Sequence, residues 1–280
     1  MRALFAQEVP ICWFTYGGWF TGLAHGLPAK NVDLRRAQFG VGHDRGLGVA
    51  RRIVEGKIRN SRTLLRRNAR EEAPHQVESL AQIAVRVPGV GSFESLLGME
   101  GAAARLYFSC FTKMISPNTN VPFDAFDVNG RSRRPPPDPV NCLLSFIYAL
   151  LVKDLTVTAL AVGLDPYVGV YHRPRFGRPA LALDLAEEFR PLIADSTVLQ
   201  LANNGEIGNR DFLTRAGGCQ LQPTGRRVAL RAYERRMSAQ IKHPLFGYRV
   251  SYRRALEVQC RLFAAHLVGE INDYSPMVAR

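Results

Sequence analysis

Gly46 to Arg67 reads GLGVARRIVEGKIRNSRTLLRR. Leu47, Ala50, Val54, Ile58 and Leu65 recur at about the 3.6-residue period of a helix, and Arg51, Arg52, Lys57, Arg59, Arg62 and Arg66 fill other faces. One apolar stripe beneath a basic surface predicts an amphipathic helix that buries one side and presents cations on the other. Its neighbours carry the same signature. Pro74 opens a helical pattern through Val77, Leu80, Ala84 and Val87 that Pro88-Gly89 ends. Ser92 is placed to cap a third helix running through Leu96, Leu97, Glu100, Ala104, Tyr107, Phe108 and Phe111. From Val140 to Leu164 the chain is strongly apolar, but Lys153 and Asp154 would be costly inside a bilayer. Two buried helices are expected there, not a membrane span. A further helix is expected from Ala180, carrying Leu183, Glu187, Phe189 and Arg190. The fold class is mainly α.

The exceptions lie outside these stretches. Cys12 to Tyr16 and Trp19 to Thr21 read as aromatic strands about a Gly17-Gly18 turn, a hairpin that needs something to pack on. Pro117 to Pro139, with Asn129-Gly130 and Pro135-Pro136-Pro137, reads as a long loop. Tyr167 to His172 reads as a short strand and Arg173 to Pro179 as a turn.

The chain has 280 residues, 46% of them hydrophobic and 22% charged, which excludes fibrous and disordered classes. Its five cysteines form no CxxC pair, so no zinc ribbon or thiolate-held cluster is encoded, and a reduced cytoplasmic protein is expected. Charge is the unusual quantity: the formal net charge is +13 and the isoelectric point is near 10. Arg35 to Arg70 carries 11 basic residues against 2 acidic, and Arg226 to Arg254 carries 9 against 1. Those two segments exceed the whole surplus, so the charge is concentrated as a binding surface for a polyanion would be. Nucleic acid is the leading partner class, and Arg59, Arg66, Arg235 and Arg249 are candidate contacts to it. Tyr233, Tyr248 and Tyr252, interleaved with arginine, are candidates for stacking on exposed bases.

The chemistry-bearing residues are acidic and imidazole. Gly40, Gly42 and Gly46 lack the spacing of a dinucleotide fingerprint, and no Walker loop surrounds Gly56-Lys57. Glu100 sits in GMEGAAA, a carboxylate among tiny residues that leave room for a ligand. His172 ends GLDPYVGVYH, and Asp184 begins DLAEEFR, where Asp184 with Glu187 or with Glu188 shares a helix face. Carboxylates beside an imidazole suit Mn²⁺, with Mg²⁺ as the alternative.

In order along the chain, GMEG at Gly98 to Gly101, RSRRPPPDPVN at Arg131 to Asn141, GLDPYVGVYH at Gly163 to His172 and LALDLAEEFRP at Leu181 to Pro191 resemble the CRISPR-associated spacer-acquisition integrase family. The likeness runs from about Leu23 to Arg280, including Tyr274-Ser275-Pro276. It implies a helical catalytic domain over residues 31–280, behind a residual β-hairpin of an N-terminal β domain over residues 1–30. Most of that first domain is missing, so the chain is expected to be part of a longer or fused polypeptide or a shortened form. The resemblance also implies a metal held by Glu100, His172 and Glu187, with Asp184 at a further acidic position, and so selects Glu187 over Glu188. The implied activity is that of a metal-dependent DNA endonuclease and integrase, which joins 3′-hydroxyl ends of a short duplex into the CRISPR repeat. Its partners would be double-stranded DNA (prespacer and repeat), a small ferredoxin-like adaptation protein and a second copy of the chain. The rival expectations are a catalytically silent DNA-binding module and a stand-alone nuclease for branched DNA.

Overall fold

A computed structural model describes the chain except residues 8, 16–19, 25–30, 70, 133–134, 216–217 and 280. Helices dominate, and the central one is the helix expected from the Gly46 to Arg67 stretch. It runs from His43 to Asn68 and is called α3 here, following α1 (Arg2–Ala6) and α2 (Val32–Phe39). Its apolar stripe, with Leu47, Ala50, Ile53, Val54, Ile58 and Leu65 buried, packs against α4 (Pro74–Arg86), α5 (Phe93–Phe108) and α8 (Ala180–Phe189). Ser92 caps α5 as expected, its side chain accepting from the Ser95 amide at 3.2 Å.

The apolar stretch forms one helix, α7 (Pro139–Val162), and not the two expected. Asp138 caps it, accepting from the Asn141 amide at 2.8 Å, and Gly163 ends it in the left-handed region at φ 95°. Lys153-Asp154 does not break the helix because Asp154 has partners there: Tyr233 donates to it at 2.9 Å and Arg253 at 3.3 Å. Although α7 is long and apolar enough to cross a bilayer, its Leu143, Leu144, Ile147, Leu151 and Leu155 are buried in the protein core. The stretch expected as a loop after Pro117 contains one short helix, α6 (Asp124–Asn129).

After α8 the chain widens into a π-helical turn, Arg190–Asp195, before α9 (Ser196–Asn203). Pro191 has no amide to donate back into α8, which accounts for the break in the ladder. The remaining helices are α10 (Pro223–Ser238) and α11 (Tyr252–Val268).

Strands are confined to antiparallel pairs among the described residues. β1 (Ile11–Phe14) pairs with β2 (Phe20–Ala24), Ile11 opposite Ala24, as the expected hairpin, whose glycine turn lies outside the described residues. β3 (Phe212–Arg215) pairs with β4 (Gly218–Leu221), and β5 (Gln240–Lys242) with β6 (Arg249–Ser251); neither was expected. Tyr167 to His172 is not a strand. Its backbone amides have another acceptor, described next.

Candidate active site

The carboxylate of Asp184, 0% exposed in the first turns of α8, takes the place of a partner strand for the preceding loop. Its Oδ2 accepts from the amides of Val170 at 2.7 Å and Tyr171 at 3.0 Å, and its Oδ1 from the amide of His172 at 2.8 Å. The same Oδ1 lies 2.7 Å from His172 Nδ1, which fixes the imidazole and turns Nε2 away from Asp184. Gly169 lets the loop lie this close: a Cβ there would fall 2.6 Å from Asp184 Oδ2 and 2.8 Å from the carbonyl carbon of Ala180.

Three further elements converge on the same place. Glu187, one turn beyond Asp184, faces α3; its Oε1 is 3.8 Å from His172 Nε2 and 3.1 Å from an Arg190 terminal nitrogen. α3 contributes Lys57, whose ammonium bridges Glu100 of α5 and Glu187, standing 2.6 Å from Glu187 Oε2. Tyr171 donates to the other oxygen of Glu100 at 2.8 Å. The small neighbours of Glu100 leave open space, since a Cβ on Gly98 would meet nothing within 4 Å and one on Gly101 only Arg105.

Charge in the cluster is nearly enclosed. Burial works to raise the Glu187 carboxyl, but Arg190, then Lys57 and His172, outweigh it and hold it at about 2. Burial likewise disfavours the Lys57 ammonium, but Glu187 and Glu100 keep it above its ordinary value. Burial and the adjacent Glu100 push the Tyr171 phenol up, so it remains a donor. A cavity of about 30 Å³, room for a water, is lined by Lys57 and Glu100 together with Tyr107, Tyr148 and Asp195.

Glu100, His172, Asp184 and Glu187, separated by up to 87 positions in the chain, are thus brought together. Asp184 has its oxygens committed to backbone and imidazole, so it positions His172 and has no free face for an ion. Glu188 points elsewhere, accepting from Tyr274 at 2.5 Å and from the Met277 amide at 2.6 Å. Two oxygens and one imidazole nitrogen suit a divalent cation, and the buried Glu187 Oε2 has an ion pair but no hydrogen bond. Among the described residues no three acidic, His or Cys side chains are gathered closely enough to hold an ion unmoved, because the ammonium stands between them.

Lys57, Tyr171 and Arg190 were not singled out as site residues from sequence. For Lys57 a signal existed: Ala50, Ile53, Val54 and Ser61 put it on the buried stripe of α3, where a lysine needs a carboxylate partner. The basic candidates Arg59, Arg66, Arg235 and Arg249 are exposed; Arg59 pairs with Glu55 at 3.2 Å and Arg235 with Glu206 at 2.7 Å. Tyr233 and Tyr252 are corrected as stacking candidates. Both are buried, the first bonded to Asp154 and the second beneath Arg236, and only Tyr248 is exposed.

Mainly helical, with two glutamates and a histidine from separate elements drawn around one cationic position, the chain falls in the class of helical domains built on a carboxylate–imidazole centre. The family model described as CRISPR associated protein Cas1 matches residues 1–235, and the chain belongs to that family. A Cas4/Cas1 fusion from Geobacter sulfurreducens, called a CRISPR-associated exonuclease and endonuclease, is 49% identical over 98% of this chain and 50% of its own length. A CRISPR-associated endonuclease Cas1 from Thermus thermophilus is 42% identical over 94% of this chain and 76% of its own. The chain therefore spans about half the length of the fusion relative. In fold it also matches a solved structure described as a casposase bound to integration product, with a TM-score of 0.82 at 23% identity, covering 98% of this chain and 76% of that one.

Proposed function

We propose that this chain is a metal-dependent DNA endonuclease and integrase of CRISPR adaptation. The observation that carries the reading is the meeting of Glu100, Glu187 and His172 at the point where the Lys57 ammonium stands. A cationic group between two carboxylates marks where a divalent ion, Mn²⁺ or Mg²⁺, would be held by those three side chains. Bound there, the ion supplies Lewis-acid stabilisation of charge on a phosphate and orients the attacking hydroxyl. The names of the relatives, endonuclease Cas1 among them, support nuclease chemistry.

The chain's own residues have definite tasks in that reaction. Asp184 accepts a hydrogen bond from the Nδ1–H of His172 and leaves Nε2 as the coordinating nitrogen. Arg190 and Lys57 keep Glu187 ionised at neutral pH. In strand transfer a 3′-hydroxyl of a short duplex forms a new P–O bond at the repeat, and the old P–O bond breaks to release a 3′-oxygen that takes a proton. With water as nucleophile the same centre cuts without joining. The partners that go with this reading are prespacer and repeat DNA, a small ferredoxin-like adaptation protein and a second copy of the chain.

The test is metal binding read by thermal unfolding. Mn²⁺ is expected to raise the melting temperature of the wild-type chain, and Glu100→Ala and His172→Ala are expected to lose that rise while still binding duplex DNA in a salt-sensitive way. An unchanged Mn²⁺ response in both variants would remove the site. No Mn²⁺ response in the wild type would favour the silent DNA-binding module, with Lys57 as a permanent occupant.

A further inference from the structure

The β5–β6 hairpin carries two features that cost stability in the isolated chain. Lys242 and Arg249 lie directly opposite each other in its register, a like-charge cross-strand pair, and neither makes an ion pair among the described residues. Beyond them the loop holds an exposed aromatic stack: Phe246 and Tyr248 are 46% and 48% exposed, their rings 5.5 Å apart and 14° from parallel. The stack is built, not loose. His243 is buried beneath it, 4.9 Å from the Phe246 ring, and is held 3.2 Å from Gln259 of α11. The loop closes through His243 donating to the Tyr248 carbonyl and Gly247 donating back to His243, each at 2.9 Å, with Gly247 at φ 75° where a side chain would be strained. The hairpin also lies inside the Arg226 to Arg254 segment, with its 9 basic residues against 1 acidic.

The geometry points to a function for this hairpin: it is a stacking platform for unpaired nucleobases of a DNA strand, with Lys242 and Arg249 on the adjoining phosphates. This rests on the reading that the chain acts on DNA, and adds that single-stranded segments are engaged by residues outside the catalytic cluster. Both costs are recovered by one ligand chemistry, because a single strand offers open π faces to the rings and negative charge to the cations. A duplex offers neither open face, its bases being covered by their neighbours. A protein partner would have to answer two adjacent cations as well as an apolar stack.

The experiment compares three labelled DNAs in the presence of a chelator, so that no chemistry occurs: a short single strand, a duplex with a single-stranded 3′ overhang, and the same duplex blunt. Phe246→Ala/Tyr248→Ala is expected to weaken binding of the first two on the order of tenfold or more and leave the blunt duplex unchanged. Lys242→Gln/Arg249→Gln is expected to lower the salt dependence for the single strand by about one to two units of log–log slope. Phe246→Trp/Tyr248→Phe, which keeps the stack, should restore wild-type binding. Equal binding of all three DNAs by the alanine variant and the wild type would overturn the proposal. So would a loss shared equally by the blunt duplex, or a change in oligomeric mass with DNA binding intact, which would make the hairpin a protein interface. A wild-type chain that binds none of the DNAs would defeat this proposal and the DNA-directed function together. Glu100→Ala is expected to keep the overhang preference in the chelator; its loss there would assign the preference to the cluster and overturn the proposal.

Discussion

At the residue scale the site depends most on Asp184, a fully buried carboxylate that serves three backbone amides and one imidazole. Removing it strands those groups and frees the loop that carries His172. Asp184→Ala is expected to lose at least ~3 kcal/mol of stability in urea unfolding, since each orphaned donor costs about 1–3 kcal/mol. Where the variant still folds, metal affinity should fall roughly ten- to a hundredfold, as for other orienting partners of a coordinating histidine. Unchanged metal affinity would mean that His172 is not held for coordination. Asp184 also marks how far a sequence can be read at this scale. Its spacing from Glu187 put both on one helix face, but nothing local distinguished a carboxylate facing an open centre from one spent on the backbone. That distinction is made by Gly169, 15 residues earlier, which lets the loop reach it.

At the scale of elements, Asp195 ties three together. From the π-helical turn it accepts from Tyr107 of α5 at 2.9 Å and Tyr148 of α7 at 2.7 Å, close to Arg190, which stacks on Tyr148. Burial raises its carboxyl from 3.8 to about 6, the tyrosine hydrogen bonds and Arg190 only partly opposing it. Between those values the folded chain keeps a proton that the unfolded chain has released, so this group's contribution is full below about 3.8 and is lost as pH rises to about 6. Asp195→Asn can accept from one tyrosine and donate to the other without titrating. Its melting temperature relative to wild type should therefore climb by a few degrees from pH 4 to pH 6, at roughly 2–4 °C per kcal/mol. A difference independent of pH would contradict the shift. α3, α4, α5 and α8 were legible because their apolar period, and for α4 and α5 a Pro-Gly stop and a serine cap, are local; α9, α10 and α11 were not singled out. Two helices were expected where α7 is one, and the partners that settle Asp154 inside it, Tyr233 and Arg253, lie 79 and 99 residues away. The strand expected at Tyr167 to His172 failed for a similar reason: its alternation matched a strand, but its amides found a carboxylate. The β3–β4 and β5–β6 hairpins are too short for alternation to register.

At the scale of the whole molecule, the chain joins a buried acidic centre to an exposed basic surface. α3 does this within one helix: Lys57 faces inward to Glu100 and Glu187, while Arg59 and Arg66 face solvent. The concentration of charge in two segments was readable from sequence, but which arginines are spent on folding was not. Arg236, for example, donates to the Leu192 carbonyl at 2.8 Å and stacks on Tyr252, and Arg62 donates to the Val77 carbonyl at 3.2 Å. The central claim is that the centre performs strand transfer on DNA held by this surface. The most direct measurement incubates the purified chain, with and without the proposed small adaptation partner, with a labelled short duplex and a supercoiled plasmid bearing leader and repeat, in Mn²⁺ and then in Mg²⁺. The account predicts metal-dependent joining of label to plasmid that disappears in Glu100→Ala. Joining that persists in Glu100→Ala, or binding of both DNAs with no joining in either metal with the partner present, would contradict it.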